Sequence, residues 1–367
     1  MPPHKRSLSA AGAAGRFPGG ENRPLLSSGP GLCAARLKCD TLPVASYRSL
    51  SVIIPNYNGV SLIKEFLPTV LEAVKNYPGP KEVIFVDDRS SDRSAASAAA
   101  LCAGPPLKVV STPRNGGFSR ACNFGAARAA NSVLFFLNND VSLAPDYFSS
   151  FSGYFTGADV FALAPCGFDY HTGRQIDGIK RGVWKKGFLR FTGNIFNDEL
   201  KSPGPYLSFS VQGAYFFCDA ARFRELGGFD EIYSPYIMEE TDLAYRALKR
   251  GWKILYGPEF SARHKVGSTV KSKVSLRAKV VSSRNRLIFT WKNIHSARLL
   301  LSHFLFLALR LAALNVVEWA GFAGAVRLLP QVLRRRAAAL RQASVGDEEL
   351  LAGYAGYFSR FPPRPRE

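Results

Sequence analysis

Between Leu50 and Asp140, apolar runs of strand length alternate with segments of helical period, and the runs end in polar or acidic clusters. LSVIIPNYNG is a β-branched run that stops at Pro55 and Gly59. EVIFVDD (82–88) ends on Asp87 and Asp88, LKVVST follows as a third run, and VLFFLNND ends on Asn138, Asn139 and Asp140. Between them, SLIKEFLPTVLEAVKN (61–76) has helical spacing with a kink predicted at Pro68. RSSDRSAASAAALCA reads as an N-cap and a small-residue helix, and NGGFSRACNFGAARAA as a tight glycine turn opening another. Regular alternation of buried strands and helices predicts an α/β fold, with a largely parallel sheet and helices on both faces. Ligands of such sheets bind beyond the carboxyl ends of the strands, where the polar clusters fall. Two readings of Asp140 stay open at this point. It caps a turn, as Asx residues commonly do, or it holds a hard cation such as Mg²⁺ or Mn²⁺.

Several common chemistries lack their signatures. PNYNG after the first run is not the GxGxxG of a dinucleotide-binding fold, and neither a GxxxxGK[ST] loop nor a GxSxG elbow occurs. Six cysteines without a CxxC pair argue against a zinc ribbon or disulfide scaffold and suit a reducing compartment. Hydrophobic residues make up 47%, enough for a sizeable core. The net charge of +20 favours anionic partners. Composition divides the chain into a basic tail over 1–47, expected to be disordered and without a secretory signal, a catalytic domain over 48–270, and a basic, apolar helical region over 271–367.

SVIIPNYNG, FVDDRSSD, NGGFSRACNFG, FLNND, QGAYFFCDAARFRELGGFDE, MEETDLAYRALKRGW and HKVGST follow one another in an order that resembles family-2 glycosyltransferases, from Ser51 to Thr269, with an echo in SSRNRLIFTWKN. The nearer likeness is to bacterial rhamnosyltransferase-like enzymes of cell-envelope glycans. The resemblance implies a GT-A nucleotide-diphospho-sugar transferase fold, Rossmann-like, with a C-terminal helical extension. It also implies an inverting, metal-assisted transfer from a nucleotide-diphosphate sugar to a hydroxyl of a glycan or lipid-linked acceptor.

The resemblance assigns residues. Tyr57 stacks on the donor's nucleobase, Asp88 accepts from the base edge, and Asp87 is an alternative to it. Pro55 and Asn58 share that loop. Asn115, Gly117 and Arg120 face the nucleotide. Asn138 and Asn139 contact the donor and Asp140 the metal; the family's Asp-x-Asp motif here has Asn138 in place of its first acid. His264 supplies a further metal or phosphate contact. Gln212 and Gly213 line the sugar pocket, and Gly227 and Gly228 let the backbone pass close to the sugar. Glu240 takes the position of the catalytic base, with Glu239 and Asp242 as alternatives; the same acids at a helix start also suit its dipole. Mg²⁺ or Mn²⁺ is the implied cofactor.

From Ser261 to Ser296 nine Lys or Arg residues occur without an acid. Leu299 to Val317 is almost long enough to span a bilayer, but Arg310 and His303 interrupt it, so interfacial or core-packed helices are expected. This predicts a cytoplasmic protein, peripheral on the inner face of the cell membrane and partnered with its anionic surface; nucleic acid is not expected. Two other classes compete: a nucleotidyltransferase of related fold, and a non-catalytic basic protein that binds membranes or anions.

Overall fold

The computed structural model describes residues 47–101, 107–201, 204–267 and 275–361. The tail expected over 1–47 (apart from Tyr47), Cys102, Ser268, Lys271 and Lys273 lie outside the described residues. Strand β1 (Leu50–Asn56) leads through helix α1 (Val60–Asn76) to β2 (Lys81–Asp87), α2 (Ser94–Ala100), β3 (Leu107–Ser111), α3 (Phe118–Ala126) and β4 (Val133–Leu137). Seven strands come before the next helices: β5 (Val141–Ser142), β6 (Val160–Asp169), β7 (Gln175–Asp177), β8 (Ile179–Lys185), β9 (Phe188–Ile195), β10 (Tyr206–Leu207) and β11 (Tyr215–Asp219). Then come α4 (Ala220–Glu225), α5 (Glu239–Lys249) and β12 (Lys253–His264). Helices α6 (Leu276–Asn293), α7 (Ala297–Ala312), α8 (Val316–Arg327), α9 (Leu329–Gln342) and α10 (Asp347–Phe358) complete the chain.

The main sheet runs in the order β10-β12-β6-β11-β4-β1-β2-β3, while β8 and β9 form a separate pair. β3, β2, β1 and β4 are parallel, and β11 runs antiparallel between β4 and β6. In register, Asn56 faces Asp87 and Asp87 faces Ser111, so these strands end level. The chain steps outward from β1 to β3 and returns to place β4 on the other side of β1. That reversal is a topological switch point, and the loops after β1 and β4 flank its crevice.

Period-two alternation divides the strand residues between two cores. Val52, Ile54, Phe85, Phe135 and Leu137 pack with α1 on one face. Ile53, Ile84, Val86, Leu134 and Phe136 pack with α3, α4 and α5 on the other. The kink expected at Pro68 does not break α1, which is continuous through it. Pro68 lies on the exposed face, where water can take the carbonyl that lost its partner.

The helices after residue 275 share the second core: Leu287, Ile288, Trp291, Leu307, Ala325 and Leu350 are buried in the same cluster as Ile53 and Phe136. His303 fills a buried position there. Its Nε2 accepts from Trp291 Nε1 (2.9 Å), and its Nδ1 lies 2.8 Å from the Gly187 carbonyl, the geometry of a neutral ring protonated on Nδ1. Among the described residues no single helix is long and apolar enough to cross a membrane.

Candidate active site

The rim begins at the end of β1. Asn56, which the sequence reading passed over, is a buried hub: its Oδ1 accepts from Asn139 Nδ2 (2.6 Å) and its Nδ2 donates to Ser90 Oγ (3.2 Å). The amide of Asn139, expected to meet the donor, instead ties the end of β4 to the end of β1 across the switch point. Asn58 takes a left-handed turn conformation (φ 50°), and its side chain accepts from the Ser91 backbone N–H (2.7 Å). It shapes the loop that presents Tyr57, whose ring is 52% exposed. Pro55 is half-buried within β1.

Asp87 accepts from the Ser90 backbone N–H (3.2 Å). Asp88 is buried and takes Thr112 Oγ1 (2.7 Å), the Gly116 N–H (3.1 Å to each oxygen) and the Gly117 N–H (2.8 Å). Three donors thus engage its two oxygens, and Asp88 holds the glycine loop. Asn115 is exposed on this loop, and Arg120 lies so close over Gly116 that a Cβ there would come 2.1 Å from its Cδ. Gly117 (φ 81°) backs onto the Pro235 carbonyl, where a Cβ would lie 3.0 Å away. The loop after β3 therefore meets the loop that precedes α5.

Beyond β4, Asp140 is buried, and the short strand β5 pairs Val141 with His264 at the end of β12. The Lys265 N–H also donates to the Asp140 carbonyl (2.9 Å). This pairing sets His264 Nε2 3.3 Å from Asp140 Oδ1. Two neighbouring ligands of a six-coordinate Mg²⁺ stand about 3 Å apart, so carboxylate and imidazole fit two positions of one divalent shell. Among the described residues no cluster of three or more His, Cys, Asp or Glu side chains is gathered for a metal. A cation here needs oxygens from a bound diphosphate and water to complete its shell. Asn138 is half-buried, its N–H donating to the Ala214 carbonyl (2.8 Å).

That bond links the Asp140–His264 corner to the acids of α5, because Gly213 precedes Ala214 and a Cβ on Gly213 would lie 3.6 Å from Glu240 Cδ. Gln212, expected to line the pocket, is sealed inside and donates to the Gly178 carbonyl (2.8 Å). The acids part company on α5. Glu240 is half-buried beside Gly213. Glu239 is 6% exposed, and burial, reinforced by the charge of Glu240, pushes its carboxyl well above the usual range. Asp242 is corrected as a candidate base. It is fully buried, and Oδ1 accepts from Tyr233 Oη (2.8 Å), Asn293 Nδ2 (2.8 Å) and Lys292 Nζ (2.7 Å), while Oδ2 accepts from Arg246 Nε (2.7 Å). Burial alone would raise it, but Lys292 and Arg246 hold it below the carboxylate range. It anchors the helix.

The loop before α5 is strained: Ile237 (φ 76°) and Met238 (φ 85°) both sit in the left-handed region. Such non-glycine residues cost about 1–3 kcal/mol each. Buried Asn285 of α6 holds them, its Nδ2 within 2.7, 2.9 and 2.9 Å of the carbonyls of Tyr233, Tyr236 and Ile237. Lys292 bridges Asp242 to Asp230 (2.5 Å), which also accepts from Arg335 Nε (2.9 Å). Asn285, Lys292 and Asn293 were missed because their partners are distant in sequence, and the RNR of SSRNRLIFTWKN was the available signal; Arg246 was legible as the i,i+4 partner of Asp242 on one helix. Gly228 is corrected too. A Cβ there would lie 2.5 Å from Asn123 Oδ1, so the glycine is needed for packing on α3 rather than for a sugar.

Known proteins can now be set beside this geometry. Residues 51–205 match the model of "Glycosyl transferase family 2". Over this segment the chain is similar to that family. It is 31% identical over 101 residues to an undecaprenyl-phosphate 4-deoxy-4-formamido-L-arabinose transferase of Pectobacterium carotovorum, covering 27% of this chain and 31% of the relative. An N-acetylglucosaminyltransferase of Rhizobium leguminosarum is 29% identical over 115 residues, covering 31% of this chain and 63% of the relative. The chain thus spans under two thirds of either relative. The crystal structure of GalNAc-T7 with UDP, GalNAc and Mn²⁺ superposes with a TM-score of 0.53 at 20% identity, over 67% of this chain and 48% of that one. The fold is GT-A, an α/β sheet with a C-terminal helical region.

Proposed function

We propose that the protein is an inverting glycosyltransferase. It moves a sugar from a nucleotide-diphosphate donor to a hydroxyl of a glycan or lipid-linked acceptor. The observation that carries this reading is the convergence of the Asp140–His264 pair and Glu240 on one rim, joined through the Asn138–Ala214 hydrogen bond and the Gly213 contact. A divalent cation, Mg²⁺ or Mn²⁺, held by Asp140 and His264 supplies charge neutralisation for the diphosphate. Glu240 takes the acceptor hydroxyl's proton as the acceptor oxygen bonds to the anomeric carbon. The anomeric carbon–oxygen bond to the diphosphate breaks in the same step, its electron pair leaves with the diphosphate, and configuration inverts. Tyr57 offers an exposed ring for the nucleobase, and Asp88 holds the Asn115–Gly117 loop ready for the nucleotide. Relatives named for undecaprenyl-phosphate and dolichol-phosphate support a lipid-linked acceptor, and a peripheral place on the inner face of the cell membrane is part of the same proposal.

The test is release of sugar from a panel of sugar nucleotides with Mn²⁺ or Mg²⁺ and then with excess EDTA. Glu240→Gln is expected to lower turnover about 10²-fold or more with donor binding retained. Unchanged turnover in that variant, or full activity in EDTA, would refute the respective assignment.

A further inference from the structure

From Leu299 to Val326 the charged residues are Arg310 and Glu318 alone. They form an ion pair with each other, and Arg310 lies over the Phe188 ring (5.1 Å). The other polar groups of the stretch are also satisfied from within. His303 is bonded to Trp291 and Gly187, and Trp319 Nε1 donates to the Leu311 carbonyl (2.9 Å). What faces outward is apolar. Leu301, Phe304, Leu305 and Leu309 recur at helical spacing on α7, with Leu305 61% and Leu309 68% exposed. Leu314 and Val316, at the turn into α8, are 77% and 72% exposed and continue the surface to Trp319.

Contiguous apolar surface of this kind marks an interaction site rather than a solvated helix. Its border says what it meets. The β8–β9 turn packs tightly on α7, and a Cβ added to Gly187 would lie 2.9 Å from His303 Cα and 3.0 Å from Phe306 Cβ. The two residues before that glycine, Lys185 and Lys186, are exposed beside the apolar face. With a net charge of +20, pairing with a second copy brings like charges together. Anionic lipid headgroups neutralise the same cations while the acyl region takes the leucines. α7 has 16 residues and a length of about 24 Å, short of a bilayer core, so the helix lies in the interface.

We infer that the α7–α8 hairpin is a monotopic docking face for an anionic phospholipid bilayer, with Lys185 and Lys186 as its headgroup contacts. The inference deepens the peripheral placement proposed above and does not depend on the transfer chemistry. Flotation of the full chain with vesicles of phosphatidylcholine, alone or mixed with phosphatidylglycerol, tests it. The expected result is capture that is strongest on the mixed vesicles. Leu305→Glu with Leu309→Glu should lower partitioning about a hundredfold on both. Lys185→Gln with Lys186→Gln should lower it about thirtyfold on the mixed vesicles and leave phosphatidylcholine capture unchanged. These side chains are exposed, so thermal melts and vesicle-free donor turnover should match the parent protein. Flotation of the leucine variant equal to the parent's, or no flotation of the parent, overturns the inference. So does a dimer in size-exclusion chromatography that the leucine variant breaks while vesicles capture neither protein. Absent donor turnover with normal flotation would refute the transfer reading alone.

Discussion

Glu239 and Asp242 occupy the first turn of one helix, and their surroundings drive them in opposite directions. Asp242 meets two cations and stays ionised. Glu239 is buried, its Oε2 has no hydrogen-bond partner among the described residues, and its neighbour is Glu240, so the protonated form is favoured. A carboxyl whose folded pKa is raised binds its proton more tightly in the native state. Its cost is absent below the unfolded carboxylate range and grows as pH rises toward the folded value. Glu239→Gln should therefore leave the melting temperature nearly unchanged near pH 4 and raise it increasingly toward pH 8. An increment that shrank with rising pH would contradict the burial argument. The acids were legible as a cluster in MEETDL; which was anchor, which was neutral and which faced the rim was not. Apart from the i,i+4 pair of Asp242 with Arg246, those differences come from Lys292 and Asn293, whose contacts no local pattern reveals.

At the scale of elements, the start of α5 is positioned from outside. Ile237 and Met238 would relax from positive φ if released, and the Asn285 amide restrains this turn through the carbonyls of Tyr236 and Ile237. Asn285→Ala should cost about 1–3 kcal/mol by leaving buried carbonyls unpaired. It should also lower kcat for donor turnover more than it raises KM, because Glu240 follows this loop directly while the Asn115–Gly117 loop keeps its bonds to Asp88. Equal loss in a variant of the same stability altered far from this loop would reduce Asn285 to a structural role. The strands and helices up to β4 could be read from period and punctuation, since each buries residues at its own spacing. The antiparallel entry of β11 could not. YFFCD is buried throughout, and nothing in such a run states its direction.

For the whole molecule, the reading of residues 271–367 as a separate region meets a continuous core. Leu287, Ile288, Phe289 and Ile294 are no more than 1% exposed in the cluster that holds Ile53 and Phe136. α6 also carries the partners of Asp242 and the restraint on the α5 loop. A chain ending at residue 274 loses more burial than the about 5–15 kcal/mol that separates folded from unfolded domains. It should show no cooperative melt by circular dichroism and be cleaved rapidly by protease. A truncated chain with a sharp transition near that of the full protein would show the helices to be an appendage.

By itself the sequence determined the alternation of strand and helix, the parallel rim and the polar clusters at its strand ends. Those depend on spacing, and spacing is local. Tertiary structure alone decided that Asp140 lies beside His264, that Asp88 serves the loop after β3, that Asp242 is an anchor and that α6 holds the loop leading into Glu240. Each of these is a contact between residues far apart in the chain. A carboxylate's work depends on the charge and solvent around it, which the fold supplies.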